Sequence, residues 1–242
     1  MLSISEEDSG ARLLKSKSLR DDPISTKLQS PPFCKNSACY YIVGSPGSGK
    51  TFLVESLFRK TFKKMFDGVF LIAPTSSRSS YADSYCKSMN PLRIYDTLTV
   101  DTLKDVLNEV DDINDMGKGE PRFSALIIDD CASDLRNKAT QRLLLKSIQN
   151  HRHNRLSIFI VSQTLQSLHL SIRSCMTVLI QFKTGSIKEK KALHEEFLPD
   201  YTIKECDEIL DYIFSEKYHF LLVNRRLNAI CNSFNPLTID RE

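Results

Sequence analysis

The sequence predicts one α/β domain with a mainly parallel central sheet flanked by helices, and three observations lead there. Short apolar runs at residues 39–43, 68–73, 124–129, 156–162 and 176–182 alternate with amphipathic stretches at 50–65, 101–113, 137–150 and 186–196, the pattern of strands joined by covering helices. A glycine-rich segment links the first apolar run to the first helical stretch. At 242 residues, 41% hydrophobic and 26% charged, the chain can bury a substantial core.

The elements follow in order. Residues 1–36 are polar, lack sustained periodicity and end in Ser30-Pro31-Pro32, which predicts a mobile arm leading into the fold. Arg12, Lys15, Lys17 and Arg20 fall in it with no nearby acid before Asp21; a solvated tail is the plainer reading, a DNA-contacting arm the sharper one. Residues 37–198 form the expected catalytic core, interrupted at 116–121 by a turn containing Gly117, Gly119 and Pro121. Residues 199–242 read as an extension of the same domain. A helix is expected over 202–214, then a hairpin of 218–223 and 227–231 around Asn224-Arg225-Arg226.

Composition narrows the function only a little. A net charge of +3 is common among mixed-charge domains that never meet a polyanion. Glu6, Glu7 and Asp8 stand where a secretory signal needs positive charge, and no apolar run reaches membrane-spanning length, so an intracellular chain without a membrane partner is expected. The seven cysteines, Cys34, Cys39, Cys86, Cys131, Cys175, Cys206 and Cys231, are scattered and odd in number, which fits reduced thiols. Cys34 and Cys39 have no second pair of matching spacing, so no metal-binding cysteines are assigned.

Gly44-Ser45-Pro46-Gly47-Ser48-Gly49-Lys50-Thr51 matches G-x-x-x-x-G-K-[ST] in full, after an apolar run and before a helical stretch. Glycines admit backbone conformations that let successive amides converge on phosphate oxygens. Lys50 supplies a cation for the β- and γ-phosphates, and the Thr51 hydroxyl an oxygen for magnesium. ATP and Mg2+ are therefore the expected ligands. Ala125-Leu126-Ile127-Ile128-Asp129-Asp130 is an apolar strand ending in two carboxylates: Asp129 to hold magnesium through water, Asp130 to orient or deprotonate the attacking water. Gln163, after Ser162 at the end of 156–162, is placed to sense the γ-phosphate, because an amide both donates and accepts.

These motifs, with Asn150-His151-Arg152-His153-Asn154, Ser171-Ile172-Arg173 and Val178-Leu179-Ile180-Gln181-Phe182, give residues 39–183 an order that resembles viral genome-packaging ATPases of the FtsK–HerA superfamily, those of poxviruses and virophages in particular. The resemblance implies a RecA-like P-loop ATPase that assembles as a homo-oligomeric ring, sits at a capsid vertex and pumps double-stranded DNA. The implied location is the host cytoplasm or a viral assembly site, association with the virion included. Lys50, Thr51, Asp129, Asp130 and Gln163 carry over to matching motif positions. One departure is Asp130, where many members of the superfamily have Glu.

Arg152, Arg155 and Arg173 are candidates for the cation that neutralises transition-state charge, Arg173 being favoured because it follows the sensor strand in the family-like segment. His151 and His153 form an incomplete metal set and fit carbonyl capping or solvent better; with Arg152 and Arg155 they could also touch a DNA backbone. Lys183, Lys188, Lys190 and Lys191 mark a further polyanion surface or a solvated helix start. The alternative function is a DNA helicase or conjugative transfer pump of the same superfamily. More distant readings are a small-molecule kinase and a non-hydrolysing, ATP-controlled DNA-binding scaffold.

Overall fold

A computed structural model describes residues 2–6, 33–34, 37–62, 65–78, 88–117 and 120–241. In chain order the strands are β1 (Leu2–Glu6), β2 (Cys39–Val43), β3 (Gly68–Ile72), β4 (Ile94–Tyr95), β5 (Ser124–Asp129), β6 (Leu156–Ser162), β7 (Val178–Phe182), β8 (Phe220–Asn224), β9 (Ala229–Asn232) and β10 (Asn235–Arg241). The α-helices are α1 (Lys50–Ser56), α2 (Thr75–Arg78), α3 (Val100–Asp115), α4 (Lys138–Asn150), α5 (Leu170–Arg173), α6 (Ile187–Phe197) and α7 (Ile203–Ile213).

All five apolar runs are neighbouring parallel strands, in the order β7-β2-β6-β5-β3, with the short β4 added in parallel beside β3. Every residue of β2, β5, β6 and β7 is buried. That is why these strands read as unbroken apolar runs rather than alternating ones: both faces of a parallel sheet are covered. The period of two survives in the partners. Cys39, Tyr41 and Val43 enter the core beneath α3, α4, α6 and α7. Tyr40 and Ile42 enter the opposite core with Leu53, Leu57 and Phe58.

The helices form where their apolar positions recur with helical spacing. On α3, Leu103, Val106, Val110 and Ile113 are buried and Thr99 caps the first turn by accepting from the Thr102 amide. On α4, Asn137 accepts from the amides of Ala139 and Thr140. On α7, Thr202 and Glu205 close a reciprocal capping box. The stretch expected as one helix over 50–65 departs from this: α1 ends at Ser56 and continues as a π-helical turn, Leu57–Thr61. The wider turn keeps Leu57, Phe58 and Thr61 all buried, and Phe58 and Phe62 close edge-on around Phe159, itself stacked on Tyr40 at 4.4 Å.

The C-terminal extension continues the sheet antiparallel as β8, β9 and β10, and the N-terminal β1 closes its edge antiparallel to β10. The hairpin is displaced from its expected place. Asn224 belongs to β8, where its buried Oδ1 accepts from the amides of Arg226 and Leu227, so the turn starts one residue later. The sequence also gave no sign of β10, whose Pro236 cannot donate to a ladder; that proline sits where β10 changes partner from β9 to β1. Leu2–Glu6, placed by sequence within a mobile arm, pairs along β10 from Leu2↔Arg241 to Glu6↔Leu237. Arg12, Lys15, Lys17 and Arg20 lie outside the described residues. Among the described residues, no helix is long and apolar enough to cross a membrane. Cys34, Cys39, Cys131, Cys175 and Cys206 are free thiols, Cys231 is buried, and Cys86 lies outside the described residues.

Candidate nucleotide site

The C-terminal ends of β2, β6 and β5 lie side by side, and each ends in one of the segments singled out from sequence. From β2 the chain turns through residues 44–49 into α1. Gly49 holds φ 102 as the residue before the helix and Gly47 holds φ 75, both in the left-handed region that favours glycine. Gly44 is required for another reason: a Cβ there would lie 2.6 Å from Ser48 Oγ and 2.8 Å from Phe182 Cβ.

Lys50 folds back across this loop, its Nζ donating to the carbonyls of Gly44 at 2.6 Å and Ser45 at 3.0 Å. Partial burial pushes the Lys50 ammonium below its usual pKa, opposed by the charges of Asp129 and Asp130. Ser48 Oγ is buried in the loop without a hydrogen-bond partner among the described residues. A curled lysine, an orphaned hydroxyl and left-handed glycines together fit a cradle for an anion.

Asp129 closes β5 and is buried, whereas Asp130 is exposed and adopts φ 55. Outside glycine, Asp and Asn are the residues most tolerant of that backbone, which gives a local reason for the shorter acid at this position. Both Asp130 oxygens receive donors at 3.2 Å: Gln163 Nε2 donates to Oδ1 and Ser77 Oγ donates to Oδ2. One cleft of about 390 Å³ is lined by Pro46, Gly47, Lys50, Thr51, Ser76, Ser77, Asp129, Asp130, Ser162 and Gln163. The Thr51 hydroxyl and Asp129 carboxylate are hard oxygen donors opening on the same space, which suits magnesium. Among the described residues, no group of three or more His, Cys, Asp or Glu could hold a metal.

Gln163 is held by its neighbours. Ser162 Oγ donates to the Tyr41 hydroxyl at 2.8 Å, and Tyr41 in turn lies 2.9 and 2.8 Å from the carbonyl oxygens of Thr164 and Leu165. Burial pushes the Tyr41 phenol well above its usual pKa, so it acts as a neutral donor. The Leu165 amide donates to Glu189 Oε1 at 3.0 Å, anchoring the loop to α6. Ser76 and Ser77 escaped the sequence reading. Their signal was positional: they follow β3 at the carboxyl edge of a parallel sheet, where ligand-binding residues gather.

The arginines are not brought to the cleft. Arg173, the favoured transition-state cation, is 8% exposed. Its Nε and Nη2 donate to Glu196 at 2.8 and 2.5 Å, and its Nη1 donates to the Leu168 carbonyl at 2.6 Å. With each of these nitrogens engaged inside its own subunit, Arg173 ties α5 to α6. Arg173→Ala is expected to lower unfolding free energy by about 3 kcal/mol, because it strands a largely buried carboxylate. Urea denaturation measures this; unchanged stability with lost turnover would point to the transition-state role. Arg152 and Arg155 precede β6, at the opposite edge of the sheet from the cleft. The buried His151 ring contacts the Ile148 carbonyl at 2.6 Å, as a capping residue does. Lys190 and Lys191 pair with Asp207 and Glu195. Lys183 lies beside residues 45–48 of the loop.

The family model described as "Poxvirus A32 protein" matches residues 27–195. No curated protein matches the chain. Among solved structures, it is similar to B204, the DNA-packaging ATPase from Sulfolobus Turreted Icosahedral Virus, at 17% identity and a TM-score of 0.61 over 85% of this chain and 98% of that one. It is similar also to the genome packaging NTPase B204 from Sulfolobus turreted icosahedral virus 2 in complex with AMP, at 17% identity and a TM-score of 0.57 over 81% of this chain and 96% of that one. A third is EssC (ATPases 2 and 3) from Geobacillus thermodenitrificans, at 11% identity and a TM-score of 0.53 over 85% of this chain and 40% of that one. At these identities the structural likenesses bear on the fold, and they bear out the P-loop ATPase architecture expected from the sequence.

Proposed function

Because the chain belongs to the poxvirus A32 protein family, we propose that it is an ATP-hydrolysing motor that packages double-stranded viral DNA into a capsid. The observation that carries the reading is the cleft itself: phosphate loop, acid pair and Gln163 come from adjacent strands and open on one space. The likeness to B204, named as a DNA-packaging ATPase, supports the packaging assignment.

The chain's own groups suggest how it works. The loop amides and Lys50 bind the triphosphate, Lys50 exchanging its two carbonyl partners for phosphate oxygens. Thr51 and Asp129 would hold magnesium, which would supply neutralisation of charge on the phosphate oxygens. Asp130 accepts the proton of the attacking water, and Gln163 and Ser77 fix the direction of its carboxylate. Lys50 is the one positively charged side chain lining the cleft among the described residues. A transition-state cation therefore fits best as a contribution from a neighbouring copy in a ring, a trans arrangement known among P-loop NTPases.

The test is ATPase activity with and without duplex DNA. Turnover is expected to rise several-fold with DNA of any sequence and to lose that stimulation with added salt, since the grip is on backbone phosphates. Activity per chain is expected to rise with protein concentration. Activity indifferent to DNA would overturn the motor, whereas stimulation without capsid loading would move the assignment to a helicase or transfer pump.

A further inference from the structure

A second cavity opens on the other side of the phosphate loop, against β7 and β8 instead of β6 and β5. It measures about 670 Å³ and is continuous with the loop through Gly47, Gly49, Lys50 and Thr51. Its other walls are mostly rings: Phe52 from α1, Phe182 at the end of β7, Tyr218 in the turn before β8, Phe220 at the start of β8, and Phe234 before β10. No carboxylate or carboxamide side chain is among its described lining residues.

Two of these rings are placed unusually. Phe52 is 70% exposed and Tyr218 is 58% exposed, and Tyr218 adopts φ 68, a backbone region in which a bulky residue is an outlier that calls for an explanation. The conformation sets the Tyr218 ring against the loop: its Cδ1 and Phe182 Cε1 lie 3.6 and 3.7 Å from where a Gly49 Cβ would be. Lys217 Nζ stands 4.9 Å from the Tyr218 ring centroid. Tyr218 lines both this cavity and its neighbour, but Lys217 lines only the neighbour. The ring thus stands between the two cavities, with a cation close to it that belongs to the neighbouring one only.

We infer that this cavity is the nucleobase subsite, with the base stacked on Tyr218, and that it selects an aromatic ring without reading its edge. The occupant is defined by continuity: a triphosphate held by residues 44–51 has its base within reach of an apolar, ring-lined space and no other described cavity of that character. Ring faces attract any base, because stacking is tolerant of sequence. Discrimination between adenine and guanine needs a donor or acceptor aimed at the base edge, and the described side chains here offer rings, aliphatic groups, the hydroxyls of Thr51, Ser56 and Tyr218, and the ammonium of Lys50, which is turned back onto the Gly44 and Ser45 carbonyls of the loop. The substrate class is accordingly a nucleoside triphosphate taken without choice between adenine and guanine, ATP and GTP alike. The inference rests on the nucleotide-binding part of the proposed function.

Tryptophan is absent from the chain, so Tyr218→Trp introduces a unique fluorophore at this position. Its emission is expected to be quenched by non-hydrolysable ATP and GTP analogues, in magnesium, with affinities within about ten-fold of each other. Inorganic tripolyphosphate is expected to compete without quenching. Calorimetry of Tyr218→Ala is expected to show roughly ten-fold or greater loss of affinity for the nucleotide analogues and unchanged affinity for tripolyphosphate, whereas Tyr218→Phe binds as the native chain does. Full nucleotide affinity in Tyr218→Ala, or absence of quenching by a bound analogue, would overturn the subsite. A preference for one purine beyond a hundred-fold would overturn recognition without edge reading. Failure of the native chain to bind even tripolyphosphate would overturn the phosphate loop itself, and this inference with it.

Discussion

Lys50→Ala weakens nucleotide binding by about a hundred-fold, the equivalent of roughly 3 kcal/mol of charge-assisted hydrogen bonding to phosphate. The structural argument is that Lys50 already lies over the loop, donating to Gly44 and Ser45 at 2.6 and 3.0 Å, so little reordering separates its resting and phosphate-bound positions. The Gly44 and Ser45 carbonyls that lose these donors can turn to solvent, so the variant should fold normally. Isothermal titration with a non-hydrolysable analogue measures the effect. Unchanged affinity in a folded variant would remove Lys50 from the site.

Asp130→Asn produces the largest loss of turnover, roughly 10² to 10⁴-fold, the range in which a positioned general base acts. Nucleotide affinity should stay within a few-fold of native. Asn is as much at home as Asp at the observed φ of 55, so the backbone is undisturbed. An amide also offers an oxygen to Gln163 or Ser77, the two donors now held at 3.2 Å. Single-turnover hydrolysis on protein whose binding is measured in parallel separates the two quantities. Near-native hydrolysis would exclude Asp130 as the base, and loss of binding would show that Asp129 and Asp130 have exchanged roles.

The parallel half of the fold was legible because burial on both faces writes itself as apolar runs: β2, β5 and β6 begin and end at the expected residues. The antiparallel half was less so. In β10, Asn235–Arg241, no residue is fully buried and only Leu237 and Ile239 pack against the core, and Asn224 serves as both strand end and turn cap. In the site, contiguous motifs marked Lys50, Thr51, Asp129, Asp130 and Gln163. Ser77 and Tyr218 were not marked, since each owes its position to a partner more than fifty residues away, Asp130 in one case and Gly49 in the other. The pairing of Arg173 was not legible because Glu196, which binds it, lies on a helix 23 residues further on.

The placement of β6 limits how this machine can be worked. The strand carries Gln163 at one end and follows Arg152 and Arg155 at the other, and it is laced to β2 from Cys39↔Ile158 to Val43↔Ser162 and to β5 from Ser124↔Leu156 to Asp129↔Val161. Sliding it by a single residue would turn every one of its side chains to the wrong face and break both ladders at once. β6 is therefore a fixed strut and cannot serve as a piston: a load applied at the basic end is borne by the sheet. The side of Gln163 that can yield is the segment beyond Ser162, where Tyr41 and Glu189 hold the chain by hydrogen bonds that can be exchanged one at a time.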